Sequence, residues 1–93
     1  DVKNLTKEEI EMGFKDVPSF NIDENVKLID MLIENNVCSS KREAREFLKA
    51  GSITINGDKV YDEEMLITKD IAIEGSILVI KRGKKKNFIA KIS

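Results

Sequence analysis

The chain has 93 residues, of which 41% are apolar and 35% are charged, and its formal net charge at pH 7 is −1. This length allows one small domain, or one piece of a larger protein, with a single core and little room for a deep catalytic cleft. Because the sequence contains no histidine and only one cysteine, histidine-based catalysis and an internal disulfide are excluded, and no metal site is visible.

The first predicted element is a short acidic helix over residues 6–14. Thr6 and Glu9 have the spacing of a capping box at its start. Pro18 follows soon after, and the residue before a proline avoids the helical conformation, so residues 15–23 are predicted to be a linker. A short helix with few apolar residues is weakly held on its own. We therefore expect it to pack on a part of the protein that is absent from this chain.

Two further helices are predicted. The apolar residues of 24–35 cover roughly two thirds of a helical circumference, which is typical of a central helix, and Asn35 and Asn36 are suited to its end. The next helix begins at Ser40, which forms a capping box with Glu43, and it ends before Gly51. At about 100° per residue, its four cations form one stripe beside the core face, with its acids beyond. The stripe consists of Lys41, Arg42, Arg45 and Lys49.

A one-sign stripe favours contact with a polyanion, whereas a merely solvated helix would interleave its charges to form i,i+4 pairs. The charge distribution agrees, because residues 1–39 carry nine acids against four lysines, and residues 40–93 carry twelve cations against eight acids. Phosphate contacts depend on such local clustering rather than on total charge. Nucleic acid is therefore the leading interpretation, and a stripe that only keeps the protein soluble is the alternative.

The second half of the chain reads as strands. Residues 53–55 and 59–61 flank Asn56-Gly57, the strongest two-residue hairpin signal. Residues 62–75 are ambiguous, with 65–67 and 71–73 read either as short strands or as irregular connections. Strands are also predicted at 77–80 and 87–92 around Gly83. The expected fold is thus α+β, with two to three short helices packed on a small, mostly antiparallel sheet.

The turn around Gly83 carries the densest positive charge, since residues 81–91 contain six cations and no acid. Such a tip is either a solvated turn that discourages edge pairing or a contact for the phosphate backbone. Phe88 and Tyr61 have a similar ambiguity, because each could stack on a base or anchor a strand in the core. Cys38 is interpreted as a small core residue, and its single thiol fits the reducing cytoplasm.

The spacing from residue 40 to residue 57 resembles the RNA-binding module named after small-subunit ribosomal protein S-four. It is carried by Ser40, Ala44, Arg45, Leu48, Gly51, Ile53, Ile55, Asn56 and Gly57. The flanks, residues 5–20 and 80–86, are similar to those of this module in the C-terminal domain of bacterial tyrosyl-tRNA synthetases. The resemblance implies a domain without an active site that grips tyrosine-specific tRNA at its variable arm and anticodon stem. ATP and tyrosine would bind a preceding catalytic domain.

The resemblance also implies a set of RNA-contacting residues, namely Ser40, Lys41, Arg42, Arg45, Lys49, Lys81, Arg82, Lys84, Lys85 and Lys86. Residues 1–20 would be the tether helix and linker to the catalytic body, and residues 21–93 the RNA-binding domain. We expect no membrane association, a monomeric fragment and a homodimeric cytoplasmic parent protein. Two alternatives stay open, a free-standing binder of ribosomal RNA and a protein-interaction domain. An independent enzyme has the least support, since no catalytic constellation is found.

Overall fold

The computed structural model describes residues 6–13, 16–84 and 86–92. The helices are α1 (Lys7–Gly13), α2 (Leu28–Glu34) and α3 (Lys41–Lys49). The strands are β1 (Ser19–Ile22), β2 (Val26–Lys27), β3 (Ile53–Ile55), β4 (Asp58–Lys59), β5 (Leu66–Ile67), β6 (Ile77–Arg82) and β7 (Lys86–Ile92). None of the helices in these ranges has the length and apolar character needed to cross a membrane.

Five strands form one sheet in the order β1-β7-β6-β3-β4, and β2 and β5 form a separate antiparallel pair. All neighbours in the large sheet are antiparallel except β1 and β7. The predicted α+β class with a small, mostly antiparallel sheet is therefore confirmed. The ambiguous segment 62–75 contains β5, a short 3-10 helix (Lys69–Ile71) and an isolated bridge from Ile73 to Ile77.

The predicted hairpin at Asn56-Gly57 is present and joins β3 to β4. Ile55 pairs with Asp58 across a two-residue turn, in which Asn56 and Gly57 both have positive φ, of 52° and 89°. Positive φ at both central positions is the geometry whose twist matches that of the flanking strands. The return strand begins one residue earlier than predicted, and its pairing continues to Val60, whose N–H donates to the Ile53 carbonyl at 3.1 Å.

Part of the predicted linker is a strand of the large sheet. Strand β1 lies within residues 15–23 and pairs in parallel with β7, with Ser19 opposite Ile89 and Ile22 opposite Ile92. The linker prediction is wrong for these four residues, because their partner strand lies at the far end of the sequence and leaves no local signal. Strand β1 also includes residue 20, where the predicted tether ends and the predicted RNA-binding domain begins.

Helix α2 begins later than the apolar pattern indicated, at Leu28 rather than near residue 24. Asn25 has a left-handed φ of 70°, and the backbone N–H groups of Asn25 and Leu28 donate to the carbonyls of Ile67 and Met65. Strand pairing with β5 therefore occupies the backbone that a longer helix would need. The predicted end is confirmed, since Asn36 adopts the left-handed conformation with φ of 61°.

The core has two parts, one on each face of the large sheet. The larger part lies between the sheet and helices α2 and α3. The smaller part, on the opposite face, consists of Ile10, Ile77, Val79 and Ile89. Ile10 of α1 is fully buried there, so the expectation that this helix packs on an absent part of the protein is wrong for Ile10, which packs on the sheet. Its other side leaves Met12 78% exposed.

Cys38 lies in the larger part of the core, immediately after α2, and its side chain is buried. Burial raises the pKa of the Cys38 thiol to about 11, and the nearby Glu43 carboxylate adds to the increase. The thiol is therefore neutral at physiological pH, where the thiolate is the reactive form. This agrees with its interpretation as a small core residue.

Candidate nucleic-acid interface

The N-terminus of α3 is fixed by side-chain hydrogen bonds around Ser40. The Ser40 hydroxyl oxygen accepts from the Glu43 N–H at 3.1 Å. The Glu43 carboxylate accepts from the backbone N–H and hydroxyl of Ser39, at 2.9 and 3.0 Å, and these bonds hold its pKa below the usual range. The predicted cap is thus confirmed at Ser40. In a capping box the Glu43 carboxylate would accept from the N–H of Ser40, but here it accepts from Ser39. Ala44 and Leu48 are fully buried against the core, which fixes the orientation of α3. The side of α3 that faces away from the core is its outer side.

All four cations of the predicted stripe are exposed on that outer side of α3. Two of them have carboxylate partners: Arg42 Nε lies 3.5 Å from Glu46 Oε1, and Arg45 Nε lies 2.7 Å from Glu63 Oε2. The Arg42–Glu46 pair has the i,i+4 spacing expected of a solvated helix, so the prediction of a one-sign stripe without such pairs is wrong at Arg42. Exposed pairs of this kind contribute ~0.2–1 kcal/mol, so a phosphate group can compete for both arginines.

The cations of the β6–β7 hairpin are divided between two surfaces. Strand alternation places Lys81 on the α1 side of the sheet, opposite the helical layer that contains α3. There it lies in register with Thr54 of β3, which pairs in turn with Lys59 of β4. The structure thus does not bring Lys81 together with the cations of α3.

The turn of this hairpin is held close to the end of α3. The Gly83 N–H donates to the carbonyl of Ser52 at 2.7 Å, and Ser52 follows α3 by three residues. Lys84 is exposed on the turn, Lys86 is exposed at the first position of β7, and Lys85 lies outside the described residues. Lys84 therefore lies on a turn beside the C-terminal end of the basic helix, whereas Lys86 lines a groove with Asp16, Asn36 and Arg82.

Arg82 has a structural environment that the sequence did not reveal. Its guanidinium carbon lies 5.5 Å from the ring centre of Phe47 and 6.0 Å from that of Phe88, and Nη1 donates to the Val37 carbonyl. The side chain is only partly exposed and joins α3, β7 and the segment before α3. Phe88 is buried, so the core interpretation of this ring is confirmed and base stacking is not.

Replacing Arg82 with alanine is expected to lower the free energy of unfolding by about 2 kcal/mol. The change removes a charged hydrogen bond to a main-chain carbonyl and the contacts with two rings. Urea unfolding of the purified chain measures the effect. Lys81→Ala, an exposed neighbour with the same loss of charge, should change stability by no more than about 0.5 kcal/mol. Equal losses in the two variants would contradict the structural role of Arg82.

Tyr61, whose role the sequence left open, lies on the surface with 60% of its area exposed. Its hydroxyl oxygen and Cε1 lie 3.2 and 3.4 Å from the position that a Cβ would occupy at Gly51. Gly51 also has a φ of 68° in the turn that ends α3, so it combines a left-handed conformation with close contact to the ring. The core interpretation is wrong for Tyr61, because the ring covers a glycine instead of entering the core.

The described residues contain no group of three or more histidine, cysteine, aspartate or glutamate side chains placed to hold a metal ion. A cleft of about 570 Å³ beside the β3–β4 turn is lined by Asp58, Asp70 and Glu74 together with apolar groups. Its carboxylates would repel a polyanion, which leaves α3 and the neighbouring turn as the candidate interface.

Comparison with known proteins gives a consistent result. Residues 9–90 match the family described as the tyrosine–tRNA ligase SYY-like C-terminal domain. The chain is 42% identical over 92 residues to the tyrosine–tRNA ligase of Geobacillus kaustophilus (strain HTA426), covering 98% of this chain and 22% of that protein. It is 41% identical over 93 residues to the tyrosine–tRNA ligase of Ligilactobacillus salivarius (strain UCC118), covering 99% of this chain and 22% of that protein.

A solved structure resembles the whole chain. The solution structure of a tyrosyl-tRNA synthetase C-terminal domain superimposes with a TM-score of 0.80 at 41% sequence identity. The match covers 100% of this chain and 95% of that domain. The chain therefore spans about a fifth of the length of the curated relatives above and nearly all of the solved domain.

Proposed function

Because the chain belongs to the family of SYY-like C-terminal domains of tyrosine–tRNA ligases, we propose that it binds tyrosine-specific tRNA. The observation that carries this proposal is the outer side of α3, where Lys41, Arg42, Arg45 and Lys49 are all exposed. The buried residues Ala44 and Leu48 and the Ser40 cap hold these cations in a fixed arrangement. The domain grips the variable arm and the anticodon stem from outside and recognises shape and phosphate more than base sequence.

The binding is electrostatic. Each phosphate neutralised by a lysine or arginine releases condensed counterions, so the affinity falls steeply with salt concentration. Lys84, on the turn tied to Ser52, extends the surface beyond the end of α3, and Lys86 adds positive charge at the start of β7. Arg82 supports this surface from below through Phe47 and Phe88, and its exposed edge adds positive charge. Lys81 faces the other side of the sheet and does not belong to the α3 contact.

In the parent protein, this domain acts by positioning. A catalytic body preceding the chain binds ATP and tyrosine and attaches the amino acid to tRNA in the cytoplasm, and the parent is a homodimer. Holding the body of the tRNA places its acceptor end at the distant active site, which is a proximity effect. Helix α1, with Met12 exposed and Ile10 anchored on the sheet, is the element through which the domain meets that body.

A titration of the 93-residue chain with tyrosine tRNA, with and without the variable arm, tests the proposal. Binding should depend on the arm and weaken as the salt concentration is raised. Equal binding to both RNAs would leave only a general RNA-binding module, and preference for a ribosomal RNA fragment would favour a ribosomal partner. Loss of all binding at low salt would overturn the proposal for the isolated chain.

Replacing Glu63 with glutamine is expected to raise the affinity for tyrosine tRNA by about two- to fivefold at low salt, which corresponds to ~0.4–1 kcal/mol. Glu63 Oε2 is the ion-pair partner of Arg45, so its neutralisation leaves the guanidinium available to a phosphate. Filter binding or fluorescence anisotropy measures the change. Glu34→Gln, at an exposed position on α2, alters the net charge equally. The same increase in both variants would show that overall charge, and not Arg45, is responsible.

A further inference from the structure

We infer that Tyr61 and Lys59 form a binding site for one unpaired nucleotide, whose base stacks on the Tyr61 ring. The inference rests on the proposed RNA-binding function and adds a specific contact to it. Base–aromatic stacking beside cations is a general means of binding single-stranded nucleic acid, and it tolerates any base because every base has an aromatic face.

The backbone on either side of the ring is firmly placed. Tyr61 follows Val60, whose side chain is buried and whose N–H donates to the Ile53 carbonyl at 3.1 Å. The edge of the ring faces Gly51, at the end of α3. The tyrosine hydroxyl and Cε1 approach this glycine closely. The ring is therefore held against backbone, and 60% of the residue remains available to a ligand. Such a placement limits the ordering cost when a base covers the ring.

A lysine borders the ring, and the basic helix ends nearby. Lys59 Cδ lies 3.5 Å from the same Cβ position at Gly51 that the tyrosine ring approaches, so the lysine stem and the ring meet at this glycine. Lys49 is the last residue of α3 and precedes Gly51 by two positions. The ring thus lies where the basic helix ends.

The other exposed large apolar side chains in the described part of the chain lack these surroundings. They are Met12, on the acidic helix α1, and Leu66, in β5. Neither has an aromatic face, and Met12 follows the acids of the first turn of its helix. Tyr61 is the one of the three that combines a ring with a neighbouring lysine.

The composition of the chain provides a direct probe of this site. Tyr61 is the only tyrosine and there is no tryptophan. Incorporation of meta-fluorotyrosine therefore gives a single fluorine resonance from this position. Titration with a short oligoadenylate is expected to move that resonance upfield through the ring current of the stacked base. Titration with an RNA duplex of equal length should leave it nearly unchanged, since a paired base cannot leave its stack without cost.

Two substitutions of Tyr61 test whether the aromatic ring is responsible for binding. Tyr61→Ala is expected to weaken binding of the oligoadenylate by about tenfold and binding of the duplex by less than twofold, whereas Tyr61→Phe should keep most of the affinity. Met12→Ala, which also removes an exposed apolar side chain, is the matched control and should bind both RNAs like the unaltered chain. Thermal unfolding of each variant verifies that the fold is retained.

The outcomes distinguish the inference from the function on which it rests. Oligoadenylate binding without movement of the fluorine resonance, or with equal affinity in Tyr61→Ala, would overturn the stacking site and leave RNA binding intact. Equal losses for oligoadenylate and duplex would also overturn it, because a general electrostatic or structural effect would then explain both. If the unaltered chain binds no RNA at low salt, both the stacking site and the proposed function are wrong.

Discussion

Replacing Asn56 with alanine is expected to lower the free energy of unfolding by about 3 kcal/mol, the largest effect that we predict for a single substitution. Asn56 is a buried polar residue, with 4% of its surface exposed. Its Oδ1 accepts from the Val79 N–H and its Nδ2 donates to the Ile71 carbonyl, both at 2.8 Å. Alanine leaves the buried Val79 amide without a partner and is also disfavoured at the φ of 52°.

For a domain of this size, such a loss corresponds to a decrease in melting temperature of roughly 15 °C. Calorimetry or circular dichroism of the purified chain measures it. The matched control is Asn36→Ala, at an exposed position that also has a left-handed φ, of 61°. This change removes the conformational preference alone and should cost about 1 kcal/mol. If the two substitutions cost the same, the hydrogen bonds of Asn56 contribute nothing and the prediction fails.

Replacing both Lys41 and Arg42 with alanine is expected to weaken binding of tyrosine tRNA at least tenfold at low salt. Both side chains are exposed on the first turn of α3, and neither contributes to the core. Removing two phosphate contacts should also reduce the slope of log K against log salt by about 1.8, since each contact contributes ~0.9. Titrations at four or five salt concentrations give both quantities.

The control for this prediction is a second double variant, Lys69→Ala with Lys91→Ala. It produces the same change in net charge at positions on the 3-10 helix and on β7, away from α3. Its affinity should stay within about a factor of two of that of the unaltered chain. The slope of log K against log salt should change by no more than about 0.5. Similar losses in both double variants would mean that RNA senses the overall charge of the domain and that α3 is not the interface.

Local signals in the sequence predicted the parts of the fold that depend on neighbouring residues. The Ser40 cap, the left-handed ends at Asn36 and Gly51, and the Asn56-Gly57 turn are each specified within a few positions, and all are present. The resemblance then supplied the family, which the comparisons support. The second role of Asn56 was missed, since its bonds to Ile71 and Val79 join distant parts of the chain.

The errors have the same physical origin. Strand β1 depends on β7, and the late start of α2 depends on the pairing of β2 with β5, so neither follows from the residues of the segment itself. Two partners at the candidate site were also non-local, although the Arg42–Glu46 pair lies within α3. Glu63 reaches Arg45 across eighteen positions, and Arg82 reaches Val37 across forty-five. A wheel of α3 shows which cations share a side but not which acids from elsewhere approach them.

The pairing of β1 with β7 also determines when the domain can be completed during translation. Strand β1 is synthesised before every other strand described, and the strand that it needs is synthesised after all of them. Until β7 leaves the ribosome, the edges of β1 and β6 lack their neighbour, and the buried residues Phe88, Ala90 and Ile92 are missing from the core. A nascent chain with such long-range pairing must therefore delay its final folding step, and this delay exposes it to chaperones and proteases.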